Sequence, residues 1–361
     1  MSKILGDLRG PIKVLVIDDS SFIRHALRRM LNSDPDIQVV GLARDGDEAM
    51  RMIAASRPDV ITLDVRMPHR DGLEVLRAIM ATHPTPTLMV SSLTSAGSVT
   101  TLAALEAGAV DFIDKSRCHM MMDIQILAET LISKVKAAAG VDVARLIVPP
   151  NAPLQLRSAP RVATSERASE RAHHLVILGA STGGPVALQG VLSQLPKNFP
   201  ASILVVQHMP SGFTESFAER LNDTCAIDIA EAHEGDRLLR GRALVAPSGY
   251  QTLLYRRRRG VRIVLTRDAM GETHLPSLNV VIASAAQSWN SRAIVVIMTG
   301  MGRDGAGALP AAAERGFSVI AQSPETCVIK GMPQAAILTG CIQRVVPLEG
   351  IAKALTAFVE E

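Results

Sequence analysis

The chain has 361 residues, of which 47% are hydrophobic and 20% charged, and its formal net charge is +3 at pH 7. This length favours two domains with separate cores, and the small net charge neither supports nor excludes binding to nucleic acid. No stretch approaches the roughly 18 apolar residues that a membrane span needs, and the four cysteines form no C-x-x-C pair that would indicate zinc or redox chemistry. We therefore expect a cytoplasmic α/β protein with reduced thiols.

In the first half of the chain, short β-rich segments alternate with amphipathic helical segments. Strands are predicted at residues 13–17, 38–43, 60–63, 86–90 and 110–113, with helices at 21–32 and 47–56 among the segments between them. Strands that alternate with helices are typical of an open parallel sheet. The first half is therefore predicted to be a doubly wound α/β domain.

The middle of the chain has a different composition. Residues 136–172 are rich in Ala, Arg, Ser and Pro, and four prolines in the segment interrupt regular structure. We interpret this segment as a linker whose start includes a helical end near Lys136. The predicted organisation is a first domain at 1–135, a linker at 136–172 and a second domain at 173–361.

The second half contains three continuous apolar runs, at residues 175–179, 202–207 and 293–298. Strands that are apolar on both faces belong to a parallel sheet covered by helices on both sides, so a second doubly wound domain is expected. The arginine run 256–259 lies between β-like segments at 252–255 and 261–266. A solvated hairpin tip is favoured there over a nucleic-acid patch, because only 3% of residues are aromatic and few bases could stack.

The ends of the strands in the first half carry polar side chains that are able to do chemistry. Asp18-Asp19, Asp64, Ser91-Ser92 and Lys115 follow the first, third, fourth and fifth strands, and such ends meet at one edge of a parallel sheet. Three clustered carboxylates favour Mg²⁺, and a carboxylate beside Mg²⁺ is able to attack a phosphoryl donor. The alternative is that each acid is simply a solvated residue at the end of a strand.

Four motifs in about the first 130 residues, VLVIDDS, LDVRMPHRDGLEVL, MVSS and AVDFIDKS, resemble those of two-component response-regulator receiver domains. The resemblance implies a flavodoxin-like fold, phosphorylation of Asp64 by a chemotaxis histidine kinase, and a switch that uses Ser91 and Lys115. It also implies a Mg²⁺ site formed by Asp18, Asp19, Asp64 and the backbone carbonyl of Arg66.

The sequence LGASTGGP follows the apolar run 175–177 and contains the loose pattern G-x-S-x-G. Such a turn between a strand and a helix either binds phosphate with backbone N–H groups or presents a nucleophilic serine. The phosphate interpretation is weakened because the segment contains neither G-x-G-x-x-G nor the lysine of a P-loop. A nucleophilic serine needs a base and a group that orients the base.

Ser181, His208 and Asp304 each lie beyond a predicted buried strand, so one sheet edge is expected to collect all three. His173 and His174 precede their strand and belong to the opposite edge. His233 and His274 lie in polar stretches, which leaves a supporting or substrate role open. The order Ser…His…Asp differs from that of α/β-hydrolases. The glycine-rich turns at 181–184 and 300–307 are expected to supply oxyanion donors, or only close packing.

Segments within residues 173–357 resemble the catalytic domain of the chemotaxis protein-glutamate methylesterases, the CheB family: ILGASTGGPVAL, VVQHMPSGFTESFAERL, MTGMGRDGA and TCVIKGMPQAA. The resemblance implies a Rossmann-like, cofactor-free catalytic domain in which Ser181 is the nucleophile, His208 the base and Asp304 its orienting acid. It implies Met301 N–H as an oxyanion donor, with Thr182 beside the site.

The implied reaction is hydrolysis of glutamyl γ-methyl esters on the cytoplasmic domains of chemoreceptors, with deamidation of receptor glutamines in some members. The implied protein is a monomer that neither binds nucleic acid nor inserts into membranes, and its unphosphorylated receiver blocks the active site. Leu275, Asn279, Gln251 and Lys330 depart from residues that the family often has, which bears on substrate choice. The alternatives are a divergent chemosensory pathway with another ester substrate or a binding-only output. A transcription factor is disfavoured because the second half has no helix-turn-helix pattern.

Overall fold

The computed structural model describes residues 10–67, 71–91, 95–115, 124–143, 146, 172–258 and 260–360. The chain divides into two compact units, Met1–Pro149 and Pro150–Glu361. Their boundary falls inside the predicted linker, most of which lies outside the described residues, as do Ser92 and Arg259; the linker bounds stay a prediction. Within the described ranges, no helix has the length and apolar character needed to cross a bilayer.

The first unit is a five-stranded parallel sheet in the order β2-β1-β3-β4-β5. This is the flavodoxin-like order, and each predicted strand is found with its ends shifted by at most one residue. The strands are β1 (Ile12–Ile17), β2 (Ile37–Ala43), β3 (Val60–Asp64), β4 (Thr87–Ser91) and β5 (Asp111–Asp114). The helices are α1 (Ser21–Leu31), α2 (Gly46–Ser56), α3 (Gly72–Thr82), α4 (Ser95–Glu106) and α5 (Ile124–Ala138).

Local sequence explains where the first helices begin. The Ser20 hydroxyl accepts a hydrogen bond from the Ile23 N–H at the start of α1, and the Asp45 carboxylate accepts one from the Glu48 N–H at the start of α2. Such caps satisfy donors that the helix itself cannot pair. Because the chain leaves β1 for β2 on one side and β3 lies on the other, a crevice forms at the carboxyl ends of β1 and β3.

The second unit contains a seven-stranded parallel sheet in the order β14-β13-β12-β6-β7-β9-β8, and a separate antiparallel hairpin. The sheet strands are β6 (His174–Ala180), β7 (Ala201–Gln207), β8 (Asp228–Glu231), β9 (Arg242–Val245), β12 (Arg292–Ile297), β13 (Ser318–Gln322) and β14 (Arg344–Val346). The hairpin strands are β10 (Gln251–Arg257) and β11 (Gly260–Thr266). The helices are α6 (Gly184–Leu192), α7 (Thr214–Thr224), α8 (Leu278–Ser288), α9 (Leu309–Glu314), α10 (Gly331–Ile337) and α11 (Leu348–Glu360).

Helices cover the central strands of the second sheet, as their apolar sequences predict. Every residue of β7 is buried, and β6 and β12 are buried except at their first residues. Alternate side chains point to opposite faces: Ile177 and Val295 pack in one cluster with Leu278 of α8 and Leu309 of α9. Elsewhere α6 contacts β6, α7 and α11. The apolar core therefore positions the strand ends that carry the predicted catalytic residues.

The predicted hairpin around the arginine run is confirmed. β10 and β11 pair antiparallel, and Arg256, Arg257 and Arg258 near the tip are exposed. The guanidinium carbon of Arg257 lies 4.8 Å from the centre of the Tyr255 ring, which is a cation–π contact within the same strand.

We predict opposite effects for alanine at two glycines of α6. A Cβ on Gly184 would overlap Gln207 Oε1 and lie 2.8 Å from Ala180 Cβ, whereas a Cβ on Gly190 would meet nothing within 4 Å. Gly184→Ala should destabilise the second unit by about 1–3 kcal/mol through overpacking. Gly190→Ala should stabilise it by about 0.5–1 kcal/mol, because glycine is unfavourable in a helix.

The measurement is urea unfolding followed by fluorescence of Trp289, the single tryptophan of the chain, which lies in the second unit. Equal urea midpoints for Gly184→Ala and Gly190→Ala would contradict the prediction that a Cβ fits at Gly190 and not at Gly184.

Candidate functional site

Two buried carboxylates and a lysine meet at the carboxyl edge of the first sheet. Lys115 Nζ lies 2.9 Å from Asp18 Oδ2 and 2.6 Å from Asp64 Oδ2. One oxygen from each of Asp18, Asp19 and Asp64 lies within 4.8 Å of the other two, and Asp19 is exposed to solvent. The predicted convergence of these groups is therefore present in the structure. The all-oxygen donor set, open to solvent at Asp19, fits a hard cation.

Burial controls the charge state of this acidic cluster. Burial and the neighbouring Asp18 carboxylate raise the pKa of Asp64 to about 6, although the Lys115 ammonium and the Arg66 N–H, 3.2 Å from Asp64 Oδ1, act in the opposite direction. Burial alone would lower the pKa of Lys115, but its ion pairs with Asp64 and Asp18 raise it. Ser91, the last residue of β4, is buried at the same edge.

In the second unit, the predicted triad residues follow three adjacent strands. Ser181 follows β6, His208 follows β7 and Asp304 lies in the loop after β12, and β6 runs between the other two. The His208 N–H donates to the Ala180 carbonyl at 3.1 Å, and the Ser181 N–H donates to the Thr299 carbonyl at 3.0 Å. These backbone hydrogen bonds join the three segments at β6, where the order of the strands in the sheet reverses. Such a point is the usual place for a ligand site in a parallel sheet.

The side chains of His208 and Asp304 are hydrogen-bonded, with 2.7 Å between His208 Nε2 and Asp304 Oδ2. We assign the imidazole proton to Nε2 from this contact, which leaves the lone pair on Nδ1. Within the part of the chain that the structure describes, His208 Nδ1 is buried and has no hydrogen-bond partner. Nδ1 is therefore the atom able to accept a proton from an attacking hydroxyl.

The Asp304 carboxylate also lies at the N-terminus of α8. Its oxygens accept hydrogen bonds from the backbone N–H groups of Leu278 (2.7 Å) and Asn279 (3.0 Å) and from the hydroxyl of Ser277 (2.9 Å). Burial alone would raise the pKa of Asp304, but the hydrogen bond and charge of His208 and the two amides outweigh burial and lower it. Positive helix N-termini stabilise anions in the same way. Asp304 is therefore held ionised beside His208.

His274 lies against the predicted base, a position that sequence reasoning left open. The His274 and His208 rings are stacked, with centroids 4.0 Å apart and planes inclined by 17°. His274 is exposed while the His208 side chain is only 8% exposed, so His274 covers a face of the base. Sequence analysis also missed Ser277, although a serine directly before an apolar helical run is a recognisable signal for a helix start.

The loop after β12 brings Gly300 against the predicted nucleophile. A Cβ on Gly300 would overlap Met332 Sδ and lie 2.8 Å from Ser181 Cβ, so only glycine fits at this position. Thr299 Oγ1 lies 3.0 Å from the carbonyl oxygen of Thr182, a buried residue. Met301 is half-buried and follows Gly300 directly, so its backbone N–H belongs to the loop that adjoins Ser181.

The four departures from the family pattern have different surroundings. Asn279 Nδ2 lies 3.2 Å from Glu272 Oε1, and Asn279 Oδ1 accepts the Ala308 N–H at 3.1 Å. Gln251 is buried and hydrogen-bonds to the loop before α8. Leu275 is half-buried, and Lys330 is an exposed residue directly before α10.

Comparison with known proteins identifies both units. Residues 14–123 match the family model of the response regulator receiver domain, and residues 176–355 match that of the CheB methylesterase. A Pyrococcus abyssi protein named protein-glutamate methylesterase/protein-glutamine glutaminase is 43% identical over 97% of this chain and 94% of its own length. The chain belongs to the CheB methylesterase family.

Further members of the family show similar agreement. A Nitratidesulfovibrio vulgaris relative with the same name, numbered 2, is 44% identical over 95% of this chain and 98% of its own length. The catalytic domain of Thermotoga maritima CheB methylesterase covers 51% of this chain and 97% of its own at 38% identity, with a TM-score of 0.49. The response regulator domain of Thermotoga maritima CheB covers 37% of this chain and 98% of its own at 45% identity, with a TM-score of 0.34.

We predict that Asp304→Asn makes the second unit less stable at pH 4.5 but less sensitive to a further fall in pH. The variant loses the negative charge that the surrounding hydrogen-bond donors stabilise, which lowers the free energy of unfolding by about 1.5–3 kcal/mol. Because the pKa of Asp304 is lowered in the folded state, its stabilisation is present above the ordinary pKa and disappears as the pH falls below about 4.

Urea unfolding followed by Trp289 fluorescence at pH 4.5 and pH 2.5 measures this difference, since both values lie below the ordinary pKa of histidine and only the carboxylate titrates between them. The difference in free energy of unfolding between wild type and variant should be smaller at pH 2.5 than at pH 4.5, and a difference that is equal or larger at pH 2.5 would refute the assignment of an ionised carboxylate.

Proposed function

We propose that this protein is a phosphorylation-activated serine esterase that hydrolyses glutamyl γ-methyl esters on the cytoplasmic domains of chemoreceptors. The observation that carries the proposal is the hydrogen-bonded pair of His208 and Asp304, at the strand end adjacent to that of Ser181. The names of the family members support the substrate class. These names also favour an ester hydrolase over a binding-only output.

In the proposed acylation step, Ser181 Oγ attacks the ester carbonyl while His208 Nδ1 accepts the hydroxyl proton. Asp304 stabilises the imidazolium that forms, because its carboxylate is already hydrogen-bonded to Nε2. The contact between nucleophile and base often tightens only when substrate binds. The backbone N–H of Met301, with Thr182 beside it, stabilises the oxyanion. When the tetrahedral intermediate collapses, the ester C–O bond breaks and His208 returns the proton to the departing methanol.

In the proposed deacylation step, water attacks the acyl-serine and gives its proton to His208. Collapse of the second intermediate breaks the bond to Ser181 Oγ, to which His208 returns the proton, and leaves a free glutamate on the receptor. Attack on a glutamine amide by the same route would release ammonia in place of methanol, which accords with the glutaminase activity that the relatives' names state. The protein groups proposed for both steps all belong to the second unit.

The proposed switch is phosphorylation of Asp64 in the first unit, with a chemotaxis histidine kinase as donor. A carboxylate oxygen of Asp64 attacks phosphorus as the bond from phosphorus to the donor histidine breaks. Lys115, which is paired with Asp64 and Asp18 in the structure, compensates the added charge. Asp18, Asp19, the Asp64 carboxylate and the carbonyl of Arg66 would hold Mg²⁺. When bound, Mg²⁺ supplies positive charge that offsets the repulsion between the phosphoryl donor and the carboxylates. Ser91, at the end of β4, is the proposed residue that senses the phosphoryl group.

We predict that Ser181→Ala lowers methanol release from methyl-labelled receptor membranes by several orders of magnitude, because the variant has no nucleophile. The control is Ser193→Ala, which changes an exposed serine at the end of α6 in the same unit. Methanol release that survives in Ser181→Ala would reject Ser181 as the nucleophile.

We predict that a small phosphodonor with Mg²⁺ raises methanol release by the wild type and not by Asp64→Asn, since asparagine forms no acyl phosphate. Radiolabel from the phosphodonor should enter the wild type only. Equal activation of the variant would show that Asp64 is not the switch. Phosphorylation of Asp64 without release of methanol from any receptor would show that the output of the protein is different.

A further inference from the structure

We infer that Gln251 is a positioning residue for the triad, an inference that rests on the proposed function of Ser181, His208 and Asp304. Gln251 is the first residue of β10 and is completely buried. It does not contact His208 or Asp304 directly in any hydrogen bond of the described residues. Its side-chain amide instead connects the hairpin to the loop formed by residues 267–277. This loop contains His274, which stacks on His208, and Ser277, which donates to Asp304.

Gln251 holds this loop through both ends of its amide. Nε2 donates to the carbonyl of Ala269 at 3.1 Å and to the carbonyl of His274 at 2.8 Å. Oε1 accepts the backbone N–H of Ser277 at 2.8 Å. All three contacts are to backbone groups, so they fix the path of the loop independently of its side chains.

One of these contacts leads to the base. The Gln251 hydrogen bond fixes the backbone of His274, and the ring of His274 stacks on that of His208 at 4.0 Å. A shift of the His274 backbone would move the ring that covers His208. Gln251 therefore restricts the plane in which the His208 imidazole lies.

The other contact leads to the acid. The Gln251 hydrogen bond fixes the backbone of Ser277, whose hydroxyl donates to Asp304 Oδ1 at 2.9 Å. The next two residues, Leu278 and Asn279, donate their backbone N–H groups to the same carboxylate. A loop that moved at Ser277 would therefore shift three of the donors that orient Asp304.

An amide suits this position because it donates two hydrogen bonds and accepts another without any charge. Leucine has a similar size but would leave two carbonyls and one N–H without partners in a buried place. A neutral histidine donates from one nitrogen and accepts at the other. It would therefore keep the contacts to His274 and Ser277, the two that lead to the triad.

The test compares Gln251→Leu with Gln251→His, with Gln343→Leu, a change at an exposed glutamine, as the control. Gln343 also accepts a backbone N–H, that of Val319 at 3.1 Å, but lies beside β14 at the edge of the sheet. A fluorophosphonate probe reports the triad alone: Ser181 Oγ bonds to phosphorus as fluoride leaves, and the hydroxyl proton passes to His208. Methanol release from methyl-labelled receptor membranes gives kcat and KM for the proposed substrate.

We expect Gln251→Leu to lower both the labelling rate and kcat about 10- to 100-fold, because small displacements of catalytic groups have effects of this size. KM should change less than about twofold, since a buried Gln251 does not contact substrate. The labelling rate and kcat of Gln251→His should stay within about threefold of the wild-type values. Those of Gln343→Leu should equal the wild-type values. Trp289 fluorescence establishes that each variant is folded. Should Gln251→Leu not fold, Gln251→Asn, whose amide is too short to reach the loop, takes its place.

The inference is overturned if Gln251→Leu labels as fast as Gln343→Leu, if only KM rises, or if the histidine variant is no more active than the leucine variant. It is also overturned if neither Gln251→Leu nor Gln251→Asn folds, since the role would then be structural. A wild type that labels at Ser181 but releases no methanol contradicts the proposed function instead, and the labelling rates still decide the role of Gln251.

Discussion

The contact between the Asp304 carboxylate and the N-terminus of α8 is the constraint on which the catalytic site depends. It buries a negative charge, and burial of an unpaired charge is strongly unfavourable. Two backbone amides, the Ser277 hydroxyl and the His208 imidazole together satisfy that charge. The same contacts fix the orientation of His208 and the direction in which α8 starts. The stability of the second unit and the proposed catalysis therefore depend on the same hydrogen bonds.

The two units use one topological rule for different chemistry. In both sheets the first strand of the unit has neighbours on each side, and the functional groups lie at the carboxyl ends beside it. In the first unit this crevice holds buried acids and Lys115, which suits a metal ion and a phosphoryl group. In the second it holds Ser181 and an imidazole–carboxylate pair, which suits acyl transfer. The chemistry follows from the side chains at the strand ends, because the backbone arrangement is shared.

Much of this arrangement was predictable from sequence, because buried parallel strands are continuous apolar runs and their ends determine what meets at the sheet edge. The strand bounds and the convergence of Asp18, Asp64 and Lys115 follow from that rule. The stacking of His274 on His208 does not. His274 lies in a polar loop with no periodic pattern, and its position depends on hydrogen bonds to residues distant in sequence. Non-local contacts of this kind leave no signal in the chain itself.

The departures at Gln251 and Asn279 share a physical property that explains how the site tolerates them. This chain has neutral amides at both positions. Asn279 donates towards Glu272 and accepts from Ala308, while Gln251 donates and accepts within the loop before α8. An amide donates and accepts at once and does not titrate, so the hydrogen bonds of Gln251 to backbone groups involve no ionisable partner. Gln251 thus supports the loop before α8 through groups that the proposed reaction does not use.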